Sequence, residues 1–403
     1  MSTGADRPDG EARRFAFVLH PLTVEYLSNH PRYAYTRHLP RKLVELTAAH
    51  MPARLVGTVK GGRSAATGHP ADGLIYALGA TPRQMLTRPP EFTYKRLDAA
   101  VRDAAKRGAR IVGLGAFTKV VGDAGVTVAR RAPIPVTTGN SLTIAATLET
   151  AKLTAKRMGW ADLARGKAMV VGATGAIGSV CSRLLAAAVK DVVLVSIEPP
   201  RLEALKRTIL EEVPDATVVT DVSTAPWVGQ CDLIVTATSA FGLRVLDVSQ
   251  CKPGAVILDV ALPPDISAEE AAVRPDVLVV ESGEVLIPGP VKFSFDIGLP
   301  PGVAYACLAE AALLAMEERY ECSRSAATSR RSGSRRSTGC SASMASRSRR
   351  CAASDSCSPT TSWPGSGRAP TSCAGIRSCS SGSRRRPPRR SRRSRRVPRA
   401  SPA

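Results

Sequence analysis

The chain has 403 residues, with 56 Lys and Arg against 34 Asp and Glu, a formal charge of +22 that as an average points to a nucleic-acid binder. Residues 322–403 hold 20 Arg, no Lys and a single acid, Asp355, so the first 321 residues carry 36 bases against 33 acids and are nearly neutral. That excludes a uniformly basic nucleic-acid-binding body and leaves a length sufficient for two cored domains.

Met1–Arg14 is polar, with no apolar stretch after a basic start, which predicts a cytoplasmic rather than a secreted protein. Phe15–Leu19 is a short apolar run ending at His20. Phe92–Lys106 has helical spacing with alternating charges, and Arg110–Leu114 reads as a buried strand carrying Gly113 and leading to Gly115. After Pro133 and Pro135 comes Val136-Thr137-Thr138-Gly139-Asn140-Ser141. It opens a helix to about Met158, capped by Asn140 or Ser141, that bridges two domains. This alternation predicts an N-terminal α/β domain over 15–150.

The next unit, 151–299, is more regular. Lys167–Val171, Val192–Val195, Ala216–Thr220, Leu233–Thr238, Ala255–Val260 and Val277–Val280 read as short apolar strands separated by helices or loops. That pattern is a Rossmann-type, doubly wound parallel sheet in an α/β protein. Gly172-Ala173-Thr174-Gly175-Ala176-Ile177-Gly178 follows the first strand and opens a helix to about Val189. Glycines there let backbone approach a pyrophosphate, and the helix N-terminus meets its charge. The cofactor-binding candidates are therefore Gly172, Thr174, Gly175, Ala176, Ile177 and Gly178, for NADPH or NADH. Glu198 falls 20 residues after Gly178, where a carboxylate accepts ribose hydroxyls, while Arg201 is placed to hold a 2′-phosphate instead. Thr236 and Thr238 end the fourth strand beside the expected nicotinamide crevice. Ala168–Val189 is the most apolar window, but Arg183 and its glycines make it a poor membrane span.

Residues 300–321 carry Pro300-Pro301-Gly302 and then an amphipathic pattern to about Tyr320, which puts Cys307 in the first or second turn of a helix. The helix dipole there favours a thiolate. Cys181, Cys231 and Cys251 are dispersed, as in a reducing compartment. All five histidines lie in the first 70 residues with no ligand spacing between them, so no metal site is expected. A serine hydrolase would need a nucleophile elbow, which is missing.

From Cys322 onward there is no Leu, Phe, Tyr, Lys, Glu, Gln, Asn or His. Such a segment is expected to be disordered, touching nucleic acid only non-specifically through its arginines. Its Arg, Ser, Ala, Pro, Gly and Cys composition and abrupt onset are those of GC-rich DNA read out of frame, so a frameshift near Glu321 is the reading adopted for 322–403.

Several elements together resemble the acyl-[acyl-carrier-protein] reductases, aldehyde-forming enzymes, over about Phe15 to Glu321. These are Phe17-Val18-Leu19-His20-Pro21-Leu22, Gly113-Leu114-Gly115-Ala116-Phe117, the Thr137-Thr138-Gly139-Asn140 run, the glycine loop, Phe293-Ser294-Phe295-Asp296-Ile297 and Tyr305-Ala306-Cys307-Leu308-Ala309-Glu310-Ala311. The resemblance implies an NAD(P)H-dependent reduction of a fatty acyl thioester, delivered by acyl carrier protein or coenzyme A, through an acyl-enzyme on Cys307. It makes Ser294, Asn140 and Thr138 candidates for oxyanion binding or positioning, and His20 or Asp296 for proton movement. Arg37, Arg41 and Lys42 are a candidate basic patch for an acidic carrier. Where the family has an Arg after the second Rossmann strand this chain has Ile197 and Glu198, and where the family continues past the last helix this chain turns to the Arg/Ser segment.

Two alternatives remain open. One is a shikimate or quinate dehydrogenase-like enzyme, or another oxo-acid dehydrogenase, in which Cys307 is dispensable. The other is a nicotinamide-sensing binding protein.

Overall fold

The computed structural model describes residues 13–23, 31–119, 121–160, 163–240 and 242–320. The expectations placed on 322–403 lie outside the described residues.

The first unit comprises β1 (Arg13–Leu19), α1 (Arg41–His50), β2 (Arg54–Arg63), β3 (Pro70–Ala77), α2 (Pro82–Thr87), α3 (Pro90–Lys106), β4 (Ile111–Leu114), α4 (Val126–Arg131), β5 (Val136–Thr137) and α5 (Asn140–Arg157). Strand β1 is central, parallel to both β3 and β4, while β2 runs antiparallel to β3. Alternation along β1 sends Phe15 and Phe17 to one apolar cluster and Ala16 and Val18 to the other, so both sheet faces are covered. Helix α3 starts on a proline, where a missing N–H costs nothing, and buries Tyr94, Leu97, Val101 and Ala104 at helical spacing.

The second unit is β6 (Lys167–Val171), α6 (Gly178–Val189), β7 (Asp191–Val195), α7 (Pro199–Glu212), β8 (Thr217–Asp221), β9 (Leu233–Thr236), β10 (Val256–Asp259), α8 (Ala268–Ala272) and β11 (Leu278–Glu281). All six strands are parallel in the order β11-β10-β9-β6-β7-β8. The order reverses between β6 and β9, which opens a crevice at their carboxyl ends where dinucleotides bind in such sheets.

The chain then returns to the first unit. After β12 (Glu284–Leu286), strand β13 (Lys292–Phe293) adds antiparallel to the outer edge of β2, and β14 (Val303–Tyr305) pairs with β12 ahead of α9 (Ala306–Met316). Two local expectations are corrected here. Val303–Tyr305 is a strand rather than the start of the helix, and α9 is buried on almost every side rather than amphipathic. It fills the space between β1, β4 and the β12–β14 pair, where small alanines allow close approach: a Cβ on Gly113 would meet Ala311 Cβ at 3.1 Å.

Helix α5 joins the units. Leu142 near its start packs with the α9 cluster, whereas Leu148 and Ala151 pack into the Rossmann core. Its cap differs from expectation: Gly139 holds the N-cap position at φ 69°, and Asn140 is the first helical residue.

Candidate active site

The glycine loop is built for close backbone contact. Gly172 has φ +81°, and a Cβ on it would stand 2.6 Å from the Ala237 carbonyl oxygen; one on Gly178 would stand 2.2 Å from that of Gly172. Any side chain at these two positions would force the loop off the sheet. Ala176, Ile177 and Gly178 stand at the N-terminal turn of α6, where amides lack helical carbonyl partners and attract anions. The cradle thus fits the pyrophosphate of a dinucleotide.

Beside it, Thr174 Oγ1 donates to Glu198 Oε2 at 2.7 Å and lies 2.7 Å from Ser196 Oγ. Arg201 Nη1 donates to both Glu198 oxygens, at 2.9 and 2.8 Å, and Nη2 donates to the Thr174 carbonyl at 2.9 Å. The Thr174 hydroxyl, then Arg201, hold the Glu198 carboxyl below its ordinary range, so it is ionised at neutral pH.

At the carboxyl ends of β9 and β10 the polar groups are internal. Thr236 is fully buried and donates to Asp259 Oδ1 at 3.0 Å. Asp259 also accepts from the amides of Ala261 (3.0 Å) and Ile266 (2.9 Å), which folds residues 259–266 into a fixed loop. Burial pushes its carboxyl up to about 7 against those bonds, with Asp265 adding to the rise. Thr238 donates to Asp265 through its amide (3.1 Å) and its hydroxyl (2.6 Å). Neither aspartate stands out in the sequence; the network becomes visible only once the two loops meet.

A cavity of about 290 Å³ lies beyond the carboxyl ends of β9 and β10, between Phe117 of the first unit and Thr238, Ser239, Arg244, Leu262–Asp265 and Glu270 of the second. Phe117 is held there by His20, whose Nε2 accepts the Phe117 amide at 3.0 Å while Nδ1 lies 3.1 Å from the Pro21 carbonyl oxygen. Burial lowers His20 to about 4, so the ring is neutral, and both nitrogens are occupied by backbone. Cys307 does not line this cavity.

Cys307 is the second residue of α9 and is half-buried, whereas Cys181, Cys231 and Cys251 are buried. The Thr137–Asn140 turn lies directly on it: a Cβ on Gly139 would fall 2.3 Å from Cys307 Cβ. One turn along α9, Glu310 is buried and accepts from the Thr137 hydroxyl and, at 2.7 Å, from the Leu142 amide. This clasp was not anticipated from the sequence, although a glutamate inside an alanine-rich buried helix is itself a signal of a committed polar partner. Asn140 is buried beside Gly139. Ser294 Oγ accepts from the Thr58 amide at 2.8 Å, and Asp296 accepts from the Gly298 amide at 2.7 Å, so each is engaged by a strand or loop partner. Phe293 and Phe295, on either side of Ser294, pack against the same apolar cluster as Cys307.

Residues 152–281 match the family described as shikimate / quinate 5-dehydrogenase. Aminotransferase PigE of Serratia sp. (strain ATCC 39006) is 32% identical over 263 residues, covering 64% of this chain and 30% of that protein, so the chain spans under a third of that relative's length. Among solved structures, quinate dehydrogenase from Corynebacterium glutamicum in complex with NAD is 12% identical over 66% of this chain and 87% of that chain, with a TM-score of 0.35. L-tryptophan dehydrogenase from Nostoc punctiforme is 16% identical over 61% and 62%, with a TM-score of 0.29. Neither structural likeness bears on the reaction.

Strand order and glycine cradle define the second unit as a Rossmann domain, similar over residues 152–281 to the shikimate / quinate 5-dehydrogenase family. That domain takes a nicotinamide dinucleotide as its cofactor.

Proposed function

We propose that this protein is an NAD(P)H-dependent oxidoreductase that reduces an acyl thioester to an aldehyde, with Cys307 as the acyl acceptor. The observation that carries the reading is the placement of Cys307: half-buried in the first turn of α9, beneath a turn whose glycine leaves it room, while the other three cysteines of the described residues are buried. A thiol at a helix N-terminus is biased towards thiolate.

The Cys307 sulfur attacks the thioester carbonyl, a C–S bond forms, and the donor thiol leaves with the proton that Cys307 gave up. A nicotinamide dinucleotide held by the Gly172–Gly178 cradle would supply the hydride that this acyl carbonyl needs. With one further proton the Cys307 C–S bond breaks, releasing aldehyde and the free thiol. The positive end of the α9 dipole would favour negative charge on the sulfur or the acyl oxygen, with Asn140 and Thr138 in the adjoining turn as positioning groups. His20 fixes Phe117 through backbone bonds, which suits positioning rather than proton transfer. Carrier protein or coenzyme A would deliver the acyl group, the former using Arg37, Arg41 and Lys42.

A second reading is favoured by a specific finding, the match over 152–281 to the family described as shikimate / quinate 5-dehydrogenase, whose description includes no acyl chemistry. In that reading the cavity at Phe117 and Thr238 receives an oxo or hydroxy acid. Its lining sets Arg244, already bonded to Asp247 at 2.7 Å and 3.3 Å from Glu270, against Asp265 and Glu270, which leaves no surplus positive charge for a carboxylate.

Assaying wild type and Cys307→Ser with a panel of acyl-CoA esters, and with quinate and shikimate, separates the two. Aldehyde formation lost in the variant supports the first reading; hydroxy-acid oxidation that survives the variant, with no acyl reduction in wild type, supports the second.

A further inference from the structure

Singly exposed leucines are ordinary on a protein surface, but here they cluster. Of the twelve large hydrophobic side chains exposed among the described residues, Tyr35, Leu39, Leu43 and Leu46 fall on α1 or just before it, and Leu86 lies on α2. We propose that this surface docks the protein on an anionic lipid bilayer, with the leucines in the acyl boundary and the surrounding cations on lipid phosphates. The inference rests on the surface alone and is independent of the reaction proposed above.

Helix α1 is apolar on two sides. Val44, Ala48 and Ala49 are buried, whereas Leu43 and Leu46, 51% and 50% exposed, share the opposite side with His50 at i, i+3 and i+7. The smaller side chains are thus the ones turned inward, the reverse of a helix whose outer side meets only water. Helix α2 is fixed beside it, because Thr81 Oγ1 donates to Glu45 Oε1 at 2.9 Å and Gln84 Nε2 donates to the Glu45 carbonyl at 2.8 Å. At the end of α1, Arg88 Nη1 donates to His50 Nε2 at 3.1 Å. Arg88 and Arg96 both stack on the Phe92 ring, 4.4 and 3.7 Å from its centre.

Charge decides what covers the leucines. Residues 35–54 and 81–96 hold eight Lys and Arg against two acids, Glu45 and Glu91. Both acids are committed, Glu45 to Thr81 and Glu91 to Arg131 at 2.8 Å. The occupant must therefore be apolar and anionic at once. A second copy is disfavoured, because two-fold pairing through α1 sets one basic surface against another. The 322–403 segment of the same chain brings 20 Arg of the same sign. A strongly acidic carrier answers the cations but sets carboxylates against the leucine row. An anionic bilayer answers both: the leucines enter the acyl boundary while Lys and Arg stems reach the headgroup phosphates.

The test is co-sedimentation of the full chain, at physiological salt, with vesicles of phosphatidylcholine alone or mixed with phosphatidylglycerol. Wild type is compared with Leu43→Ser/Leu46→Ser and Arg41→Glu/Lys42→Glu, with circular dichroism confirming the fold. Because the arginines of 322–403 attract anionic vesicles by charge alone, a second readout is local: Leu43→Trp is mixed with vesicles of brominated-chain phosphatidylglycerol, which quench a tryptophan that enters the acyl boundary. Wild type should partition onto the anionic vesicles and not the neutral ones, and each double variant should weaken that partitioning at least about tenfold. Leu43→Trp should show quenching beyond that of wild type. Wild type that leaves anionic vesicles unbound overturns the proposal, as does a serine variant that binds as tightly as wild type or Leu43→Trp emission with no added quenching. A dimer that the serine variant dissociates, without vesicle binding, makes a second copy the occupant, and acyl carrier protein bound in place of vesicles makes it an acidic protein; either overturns the proposal.

Discussion

Gly139 and Cys307 occupy touching positions on two different elements: an ideal Cβ on Gly139 would stand 2.2 Å from Cys307 Cα and 2.7 Å from its carbonyl oxygen. The turn before α5 and the first turn of α9 therefore close against each other through bare backbone, and Gly139 holds φ 69°, a left-handed conformation that side chains resist.

Gly139→Ala combines that backbone strain with a clash against backbone and Cβ atoms that have little freedom to move. The expected loss is about 3 kcal/mol or more of stability, read as a lower midpoint in thermal or urea unfolding. A variant as stable as wild type would show that the two turns are not in this contact.

Glu310 is the second tie between the same elements. Glu310→Ala leaves the buried Thr137 hydroxyl and Leu142 amide without their acceptor, at a cost of about 2–4 kcal/mol, whereas Glu310→Gln keeps one acceptor and costs about half as much. Chemical denaturation of the three proteins checks the ranking. Equal stability of Ala and Gln variants would remove the clasp from the account.

Two buried groups give the stability a pH dependence of opposite sign. His20 is lowered to about 4 from 6.5, so between these values the unfolded chain binds a proton that the folded chain refuses, and stability falls as pH drops through the window. Asp259 is raised to about 7 from 3.8, so between these values the folded chain keeps a proton that the unfolded chain has released, and stability falls as pH rises. The limits are about 3 and about 4 kcal/mol respectively. Unfolding measured from pH 4 to 8 should show the acid-side loss removed in His20→Asn and the rise-side loss removed in Asp259→Asn. Variants that leave the profile unchanged would contradict the assignment.

The Rossmann unit was legible in the sequence because its four inner strands are short, largely apolar runs buried on both faces; each predicted strand of the unit falls within two residues of its observed bounds. The glycine loop was legible because its spacing and its strand-to-helix setting are both local. The end of the chain was harder. Val303–Tyr305 is a strand only because Glu284–Leu286 comes to pair with it, a contact that residue spacing cannot show. The alanine-rich run after it looked two-sided, yet α9 is enclosed by two sheets, so its glutamate had to find partners inside the protein. His20 and Thr236 are cases where residue type suggested chemistry and the fold uses the polar atoms to fix a loop and an aspartate.

Thiol reactivity should follow burial. Burial pushes Cys181 and Cys231 up to about 12 and Cys251 up to about 11, so all three are protonated at neutral pH and out of reach of reagent. Brief iodoacetamide treatment of the native protein at pH 7, followed by peptide mapping of these four cysteines, should find label on Cys307 well ahead of the other three. Label on Cys181 or Cys231 before Cys307 would argue against an accessible thiol at the start of α9.

The most direct test of the acyl-enzyme reading is to incubate the folded protein with an acyl-CoA in the absence of nicotinamide cofactor and map adducts by mass spectrometry. An acyl group on Cys307, discharged as aldehyde when reduced cofactor is added, is the predicted result. Folded protein that binds reduced cofactor yet carries no acyl group on Cys307 would contradict it.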